Sequence, residues 1–385
     1  MKINIKKNVH TKGFNNMYIK GLEKIDKKNF VNKVLVEFNK QKIRNNTFEY
    51  LDEIEKGLID YPYKKNPDQL FKINDYEIFE LQRLDQNLYL RYLIYRYKYK
   101  IFPILKLTDD YPPCVQIEPT SKCNFRCIMC YQSDNSFSSK KNGFMGDLNL
   151  ENFKRVIDEI EGHVESVTFA SRGEPTLNKD LPKFLSYCDN KFIALKMNTN
   201  VSMLNEKLIH ALLSSSLQTI VFSIDSADKD AYEKIRVKAK YERLLKNLEL
   251  FYQIKKKDYP DSKIIIRISG VKINTDQKIE NMIAHYEKYA DMISFTNMIP
   301  WQSSYDNPVN EITDPCSELW RRVFIWQDGK LNPCDYDYKS ELSEYSIRDI
   351  GIKDLWTSGY YNNLRDKHLN SSRKEIYPCN RCIAV

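Results

Sequence analysis

No stretch of this 385-residue chain approaches the ~18 consecutive apolar residues of a transmembrane helix, which excludes a helical membrane span. The N-terminus, Met-Lys-Ile-Asn-Ile-Lys-Lys-Asn, is basic with no apolar run behind it, so no signal peptide is expected. Blocks of like charge are missing too. The net charge of +8 is spread along the chain, and the abundance of Lys, Asn, Ile and Tyr fits an AT-rich coding sequence better than a polyanion partner. A cytoplasmic protein is expected, whose reduced thiols favour metal or cluster ligation over disulfides. Residues 1–110 carry no motif with recognisable chemistry and no strand-rich pattern.

Cysteine is what the chain does have. Seven of its nine cysteines fall in two groups, leaving Cys114 and Cys188 as expected packing residues. Cys123, Cys127 and Cys130 stand in a Cys-x3-Cys-x2-Cys spacing. Thiolates bunched this tightly repel one another unless a cation or a cluster takes up their charge. A cubane iron–sulfur cluster normally takes four thiolates, so three leave one iron open to another ligand. The spacing also fits one face of a helix, as a row of inert buried thiols, but Ser121, Lys122, Asn124 and Arg126 make that a polar stripe. Zinc would need a fourth ligand from elsewhere. The second group, Cys316, Cys334, Cys379 and Cys382, is a complete tetrathiolate that suits either zinc or a cluster.

Three regions are expected: mainly helical residues 1–110, an α/β region over 111–300, and a small cysteine-bearing region over 301–385. Residues 1–25 read as a lead-in. Apolar residues at spacings of three and four predict helices over about 29–58 and 76–97, separated by a turn at Asn66-Pro67-Asp68. The tyrosines and basic residues of 89–100 are expected to be core or interface rather than a base-stacking surface. After Tyr111-Pro112-Pro113, six strands are expected near 114–118, 164–170, 192–197, 219–224, 263–269 and 292–298, with helical stretches between them. That alternation predicts a parallel sheet with right-handed crossovers. Six strands are too few for a closed eight-strand barrel, so the fold is read as an open, partial barrel with its chemistry at the strands' carboxyl ends.

The string Cys123-Asn-Phe-Arg-Cys127-Ile-Met-Cys130-Tyr resembles the signature of the radical S-adenosylmethionine (SAM) enzymes. The resemblance implies a (βα)6 partial barrel and a [4Fe–4S] cluster on the three cysteines. The open iron would chelate SAM, whose reductive cleavage gives a 5′-deoxyadenosyl radical that abstracts a substrate hydrogen. By the same resemblance Met129 lies near the adenine, and Gly173 and Glu174 of the Gly-Glu-Pro element contact the SAM amino group. Arg172 stands where that element's first glycine is common. Asn198 or Asn200 would approach the ribose, and Ser223 and Arg236 would hold the methionyl carboxylate. Asp225 is either a ribose contact or a helix cap. Gly329-Lys-Leu-Asn-Pro-Cys334, the segment 351–356 and the closing Cys379-x2-Cys382 resemble the twitch and SPASM extensions of this family, implying an auxiliary [4Fe–4S] cluster on four thiolates. The spacing is similar to that of an aminocyclitol-oxidising member. The resemblance thus implies an oxidoreductase acting on a carbohydrate or aminocyclitol by oxidation or epimerisation, with Cys188 as a conceivable hydrogen donor. The alternative is maturation of a ribosomally made peptide. Flavodoxin or ferredoxin would donate the electron.

Overall fold

The computed structural model describes residues 17–44, 50–64, 66, 68–273, 276–298 and 304–384. Most of the expected lead-in (1–16), Pro67 of the expected turn and Val385 lie outside these. Of the described residues, 19–108 form one compact unit and 109–384 belong to another.

The smaller unit is helical: α1 (Lys27–Arg44), α2 (Leu51–Ile59), α3 (Asp75–Leu81) and α4 (Tyr89–Leu105). Val31, Val34 and Phe38 of α1 are buried, as are Ile54 and Leu58 of α2. The single helix expected over 76–97 is broken between Leu81 and Tyr89. The break has a physical use, because it folds α4 back on α3. Arg96 Nε then sits 2.6 Å from Glu77 Oε1 and Lys100 Nζ 2.9 Å from Glu77 Oε2. Tyr92, Tyr95 and Tyr97 are buried here, as core residues. Glu77 is fully buried and also accepts the backbone N–H of Asn74 as half of a capping box. Burial alone would raise its pKa, but Lys100 and Arg96 hold it below the ordinary 4.5. Glu77→Gln leaves the buried Arg96 and the partly buried Lys100 without their counter-charge, and about 3–5 kcal/mol of this unit's stability should go, read as a lower urea midpoint. Because the folded pKa is depressed, the contribution is present at neutral pH and is lost as pH falls below 4.5 through the folded value.

The larger unit is the expected α/β partial barrel. Strands β1 (Cys114–Ile117), β2 (Ser166–Phe169), β3 (Ala194–Thr199), β4 (Thr219–Ser223), β5 (Ile265–Lys272) and β6 (Met292–Asn297) pair in parallel in the order β6-β5-β4-β3-β2-β1. Their apolar runs, such as Ile264–Ile266 and Ile268, are buried on both faces, as crossover helices require. Those helices are α5 (Leu150–Ile160), α6 (Leu181–Tyr187), α7 (Glu206–Leu213), α8 (Lys229–Ile235), α9 (Tyr241–Asp258) and α10 (Ile279–Tyr286). Asn149, Asn205 and Asp228 cap α5, α7 and α8 with side-chain acceptors.

The sheet does not end at β1. Strand β7 (Arg322–Ile325) pairs in parallel with β1, Val323 opposite Val115, and β8 (Lys330–Asn332) and β9 (Tyr345–Ser346) extend it antiparallel. The C-terminal cysteine region, with α11 (Ile352–Trp356) and α12 (Gly359–Leu369), is thus built onto the barrel sheet. Cys188 is fully buried in the apolar core, a packing residue as expected. Among the described residues no helix is long and apolar enough to cross a membrane.

Candidate functional site

The loop that leaves β1 is not a helix, so a helical row of thiols is ruled out. Arg126–Cys127 pairs antiparallel with Arg236–Val237 as a two-stranded ribbon, and Ile128 N–H donates to Ile235 O at 3.0 Å. Cys130 opens a short turn. Backbone N–H groups of Phe125 and Gln132 point at the sulfurs of Cys123 and Cys130, each at 3.5 Å. Arg236 Nη1 lies 4.0 Å from Cys127 Sγ. Burial pushes the Cys123 thiol up to about 12, with the Glu174 charge adding to it. Burial raises Cys130 further, and Cys127 and Cys123 add to the effect. Three thiols that feel one another's charge in a dry site need a strong positive centre to ionise.

The three thiols lie near enough to act on one another's charge and suit three corner irons of a cubane. Zinc with ~2.3 Å bonds wants sulfurs about 3.8 Å apart. A cubane accepts a wider triangle, because each thiolate binds its own corner iron.

The three cysteines line a cavity of about 190 Å³, and Met129, Gly173, Glu174, Asn198, Ser223 and Arg236 line it with them. All but Arg236, which stands on the ribbon after α8, come from the carboxyl end of a strand or the loop after it, where a parallel sheet collects its ligands. Gly173 is required by close approach, since a Cβ there would stand 2.1 Å from Thr120 O and 2.6 Å from Lys122 O. Gly173→Ala must push the cysteine loop aside. Misplacement on that scale costs roughly 10²-fold, expected as weaker SAM binding and slower 5′-deoxyadenosine formation while global unfolding shifts little.

Glu174 is buried and accepts Asn200 N–H at 2.6 Å, Thr199 Oγ1 at 2.7 Å and both donors of Thr176. Its Oε2 carries one of these bonds, which leaves capacity for an ammonium. Burial raises its pKa. Asn198 and Asn200 both line the cavity, and the Asn200 side chain also donates to Asn124 at 2.9 Å and accepts from Ser202 at 2.6 Å. Of the residues expected to contact SAM, Asp225 alone stands outside the lining. It does not cap α8 either, which Asp228 does. Its carboxylate lies 2.7 Å from Arg236 Nε and accepts Val271 N–H at 2.7 Å, so it holds the Arg236 guanidinium at the cavity wall.

Arg172, at the place where the element's first glycine is common, lines the cavity and directs its guanidinium to Glu118. Its Nε and Nη2 grip Glu118 at 2.7 and 2.6 Å, Nη1 donates to Tyr338 O at 2.9 Å, and the guanidinium lies 4.2 Å above the Trp326 ring. Ser171, at φ 126°, is in a strained region for a non-glycine residue. Its hydroxyl donates to Asp335 at 2.5 Å. Asp335 directly follows Cys334 and is pushed up to about 6 by burial. Sequence reasoning missed Ser171 and Asp335, although the second is adjacent to an expected ligand.

Cys316, Cys334, Cys379 and Cys382 come together in the C-terminal region. Cys334 is raised by burial first and then by Cys316, Cys382 and Cys379 in turn. Tyr336 N–H and Ala384 N–H donate to the sulfurs of Cys334 and Cys382 at 3.3 and 3.4 Å. Arg373 binds the carbonyls of Cys379 at 3.1 Å and Cys382 at 2.6 Å, a cation placed beside the thiols.

Comparison with known proteins agrees with this geometry. The radical SAM superfamily matches residues 117–285, and the iron–sulfur cluster-binding SPASM domain matches 316–383. An uncharacterized protein of Methanocaldococcus jannaschii is 26% identical over 189 residues, which are 49% of this chain and 58% of that one. The mycofactocin maturase MftC of Mycolicibacterium smegmatis is 23% identical over 221 residues, 57% of this chain and 53% of its own. The chain therefore spans about half the length of the curated relatives it matches. The structure of Streptococcus suis SuiB bound to precursor peptide SuiA is 16% identical with a TM-score of 0.51, covering 82% of this chain and 79% of that one, a likeness of fold. Residues 117–285 are a radical SAM domain and 316–383 a SPASM-type domain, which together take SAM and [4Fe–4S] clusters.

Proposed function

We propose that this enzyme oxidises or epimerises a carbohydrate or aminocyclitol by removing a hydrogen atom from carbon. The observation that carries the reading is the Ser171–Asp335 hydrogen bond, which ties the cavity wall to the loop of Cys334. Bound at their two cysteine sets, the clusters supply an electron for SAM cleavage and a second one-electron site with no iron open to substrate. The chain's own residues do the rest. Arg236, set by Asp225, and Ser223 suit a carboxylate at one end of the cavity; Glu174 suits the neighbouring ammonium; Met129 offers an apolar wall. Oxidising an alcohol removes one hydrogen atom, one further electron and the hydroxyl proton. Asp335 offers a proton acceptor on the side of the four-thiol set.

The second reading, maturation of a ribosomally made peptide, is supported by relatives named for it: a mycofactocin maturase and SuiB solved with its precursor peptide. Turnover of the reconstituted full chain on a panel of sugars and aminocyclitols separates the two. The proposal expects a product two hydrogens lighter, or its epimer, formed with 5′-deoxyadenosine. No coupled turnover on the panel, with turnover on a precursor peptide, would replace the first reading by the second.

A further inference from the structure

The six arginines buried among the described residues differ in what answers their charge. Arg96, Arg172, Arg236 and Arg321 each lie against a carboxylate, that of Glu77, Glu118, Asp225 and Glu318 in turn. Arg365 touches no carboxylate, but its guanidinium stands 4.3 Å from the centre of the Trp356 ring, whose face attracts a cation. Arg373 has neither kind of partner. It is 1% exposed, and its donors go to three backbone carbonyls, Cys379 O at 3.1 Å, Cys382 O at 2.6 Å and Asp314 O at 3.3 Å. Burying a charge without a counter-charge is costly, and neutral carbonyls supply none. What the guanidinium does face is sulfur. Its charge acts on the thiols of Cys316, Cys379 and Cys382, three of the four in the C-terminal set. The two carboxylates that also act on this set are engaged elsewhere. Glu318 binds Arg321 at 2.8 Å and Arg322 at 2.9 Å, while Asp337 accepts Leu342 N–H, Glu341 N–H and the Tyr305 hydroxyl at 2.8 to 2.9 Å.

Resting on the reading of the four thiols as the second cluster's ligands, we infer that Arg373 is that cluster's built-in counter-ion and raises its reduction potential. A cubane on four thiolates carries net negative charge and gains one more on reduction, so a fixed cation beside it favours the reduced form. Guanidinium does not lose its proton in proteins, and a buried charge is little screened by salt. Arg373 is thus a positioning residue that acts through the four-thiol site rather than on the substrate. The electron concerned is the second one of the proposed oxidation. The substrate radical loses one electron and one proton to become the oxidised product, and the four-thiol site is reduced by one.

The test is an EPR-monitored redox titration of the full reconstituted chain with SAM present, on wild type, Arg373→Lys, Arg373→Gln and Arg373→Met. The SAM-responsive signal reports the three-cysteine site and serves as the internal reference; the other signal reports the four-thiol site. Both neutral variants should lower the second potential by at least about 59 mV, a ten-fold change for a one-electron couple. Arg373→Lys keeps the charge and should stay within two-fold of wild type, and the SAM-responsive signal should not move in any variant. An unmoved second potential in the neutral variants, a lysine shift as large as the methionine shift, or equal movement of both signals would each overturn the inference. Loss of the four-thiol iron from both neutral variants would also overturn it, assigning Arg373 to holding the Cys379–Cys382 loop. Zinc at the four-thiol site of wild type, seen by metal analysis, would remove the second cluster itself and the inference with it.

Discussion

Replacing Cys334 by alanine should leave SAM cleavage running and stop its coupling to product. Cys334 is the thiol on which the charges of Cys316, Cys382 and Cys379 all act, so the four-thiol site loses its common member. None of the four lines the SAM cavity, whose cysteines sit on the loop after β1. Changes to groups merely surrounding a metal ligand cost roughly 10–100-fold, and loss of a ligand should cost at least that in product formation. The expected readout is 5′-deoxyadenosine formed well in excess of product, with iron content down and the SAM-responsive EPR signal kept. If product and 5′-deoxyadenosine stay in step, the four-thiol site is structural and the second electron leaves by another route.

Arg172→Ala should be strongly destabilising, on the scale expected for Glu77→Gln. Glu118 and Arg172 are 1% and 2% exposed and meet through two short parallel bonds. Burial works against the Arg172 charge, and Glu118 more than restores it, so the guanidinium stays charged. Removing the cation strands a carboxylate that also accepts Gln327 N–H and Arg172 N–H, at a cost of about 3–5 kcal/mol out of the ~5–15 typical of a whole fold. Arg172→Lys keeps the charge but not the fork and should recover only part. Arg172→Met with Glu118→Leu removes both charges and should recover more than either single change. Urea midpoints of the four variants check the order. Arg172→Gly restores the residue common at that place in the family and should still lose the same amount, because the stabilising contact belongs to the side chain.

The features legible in the sequence are the local ones. The apolar run Ile264-Ile265-Ile266 says buried strand whatever surrounds it, and the cysteine spacing places three thiols on one loop. Strand β7 escapes a sequence reading because Arg322–Ile325 is four residues long and acquires its meaning only beside β1. The apolar stripe over 76–97 is continuous and so predicts a continuous helix; the break serves Glu77, whose partners lie 19 and 23 residues away. Asp225 reads as a ribose contact or a cap, whereas its bond to Arg236 depends on how β4 meets the ribbon. Arg172 is visible as a departure, but Glu118, which explains it, lies 54 residues earlier. Pairings across the fold have no signature in a single chain.

The most direct test of the central claim is iron and sulfide content with EPR on the anaerobically reconstituted chain, wild type beside a Cys123→Ala/Cys127→Ala/Cys130→Ala variant. Two cubanes predict about eight irons in wild type, about four in the variant, and a SAM-induced change in the EPR signal that the variant lacks. About four irons and one zinc in wild type would remove the second cluster and the electron route assigned to it. No iron in either protein would contradict the account as a whole.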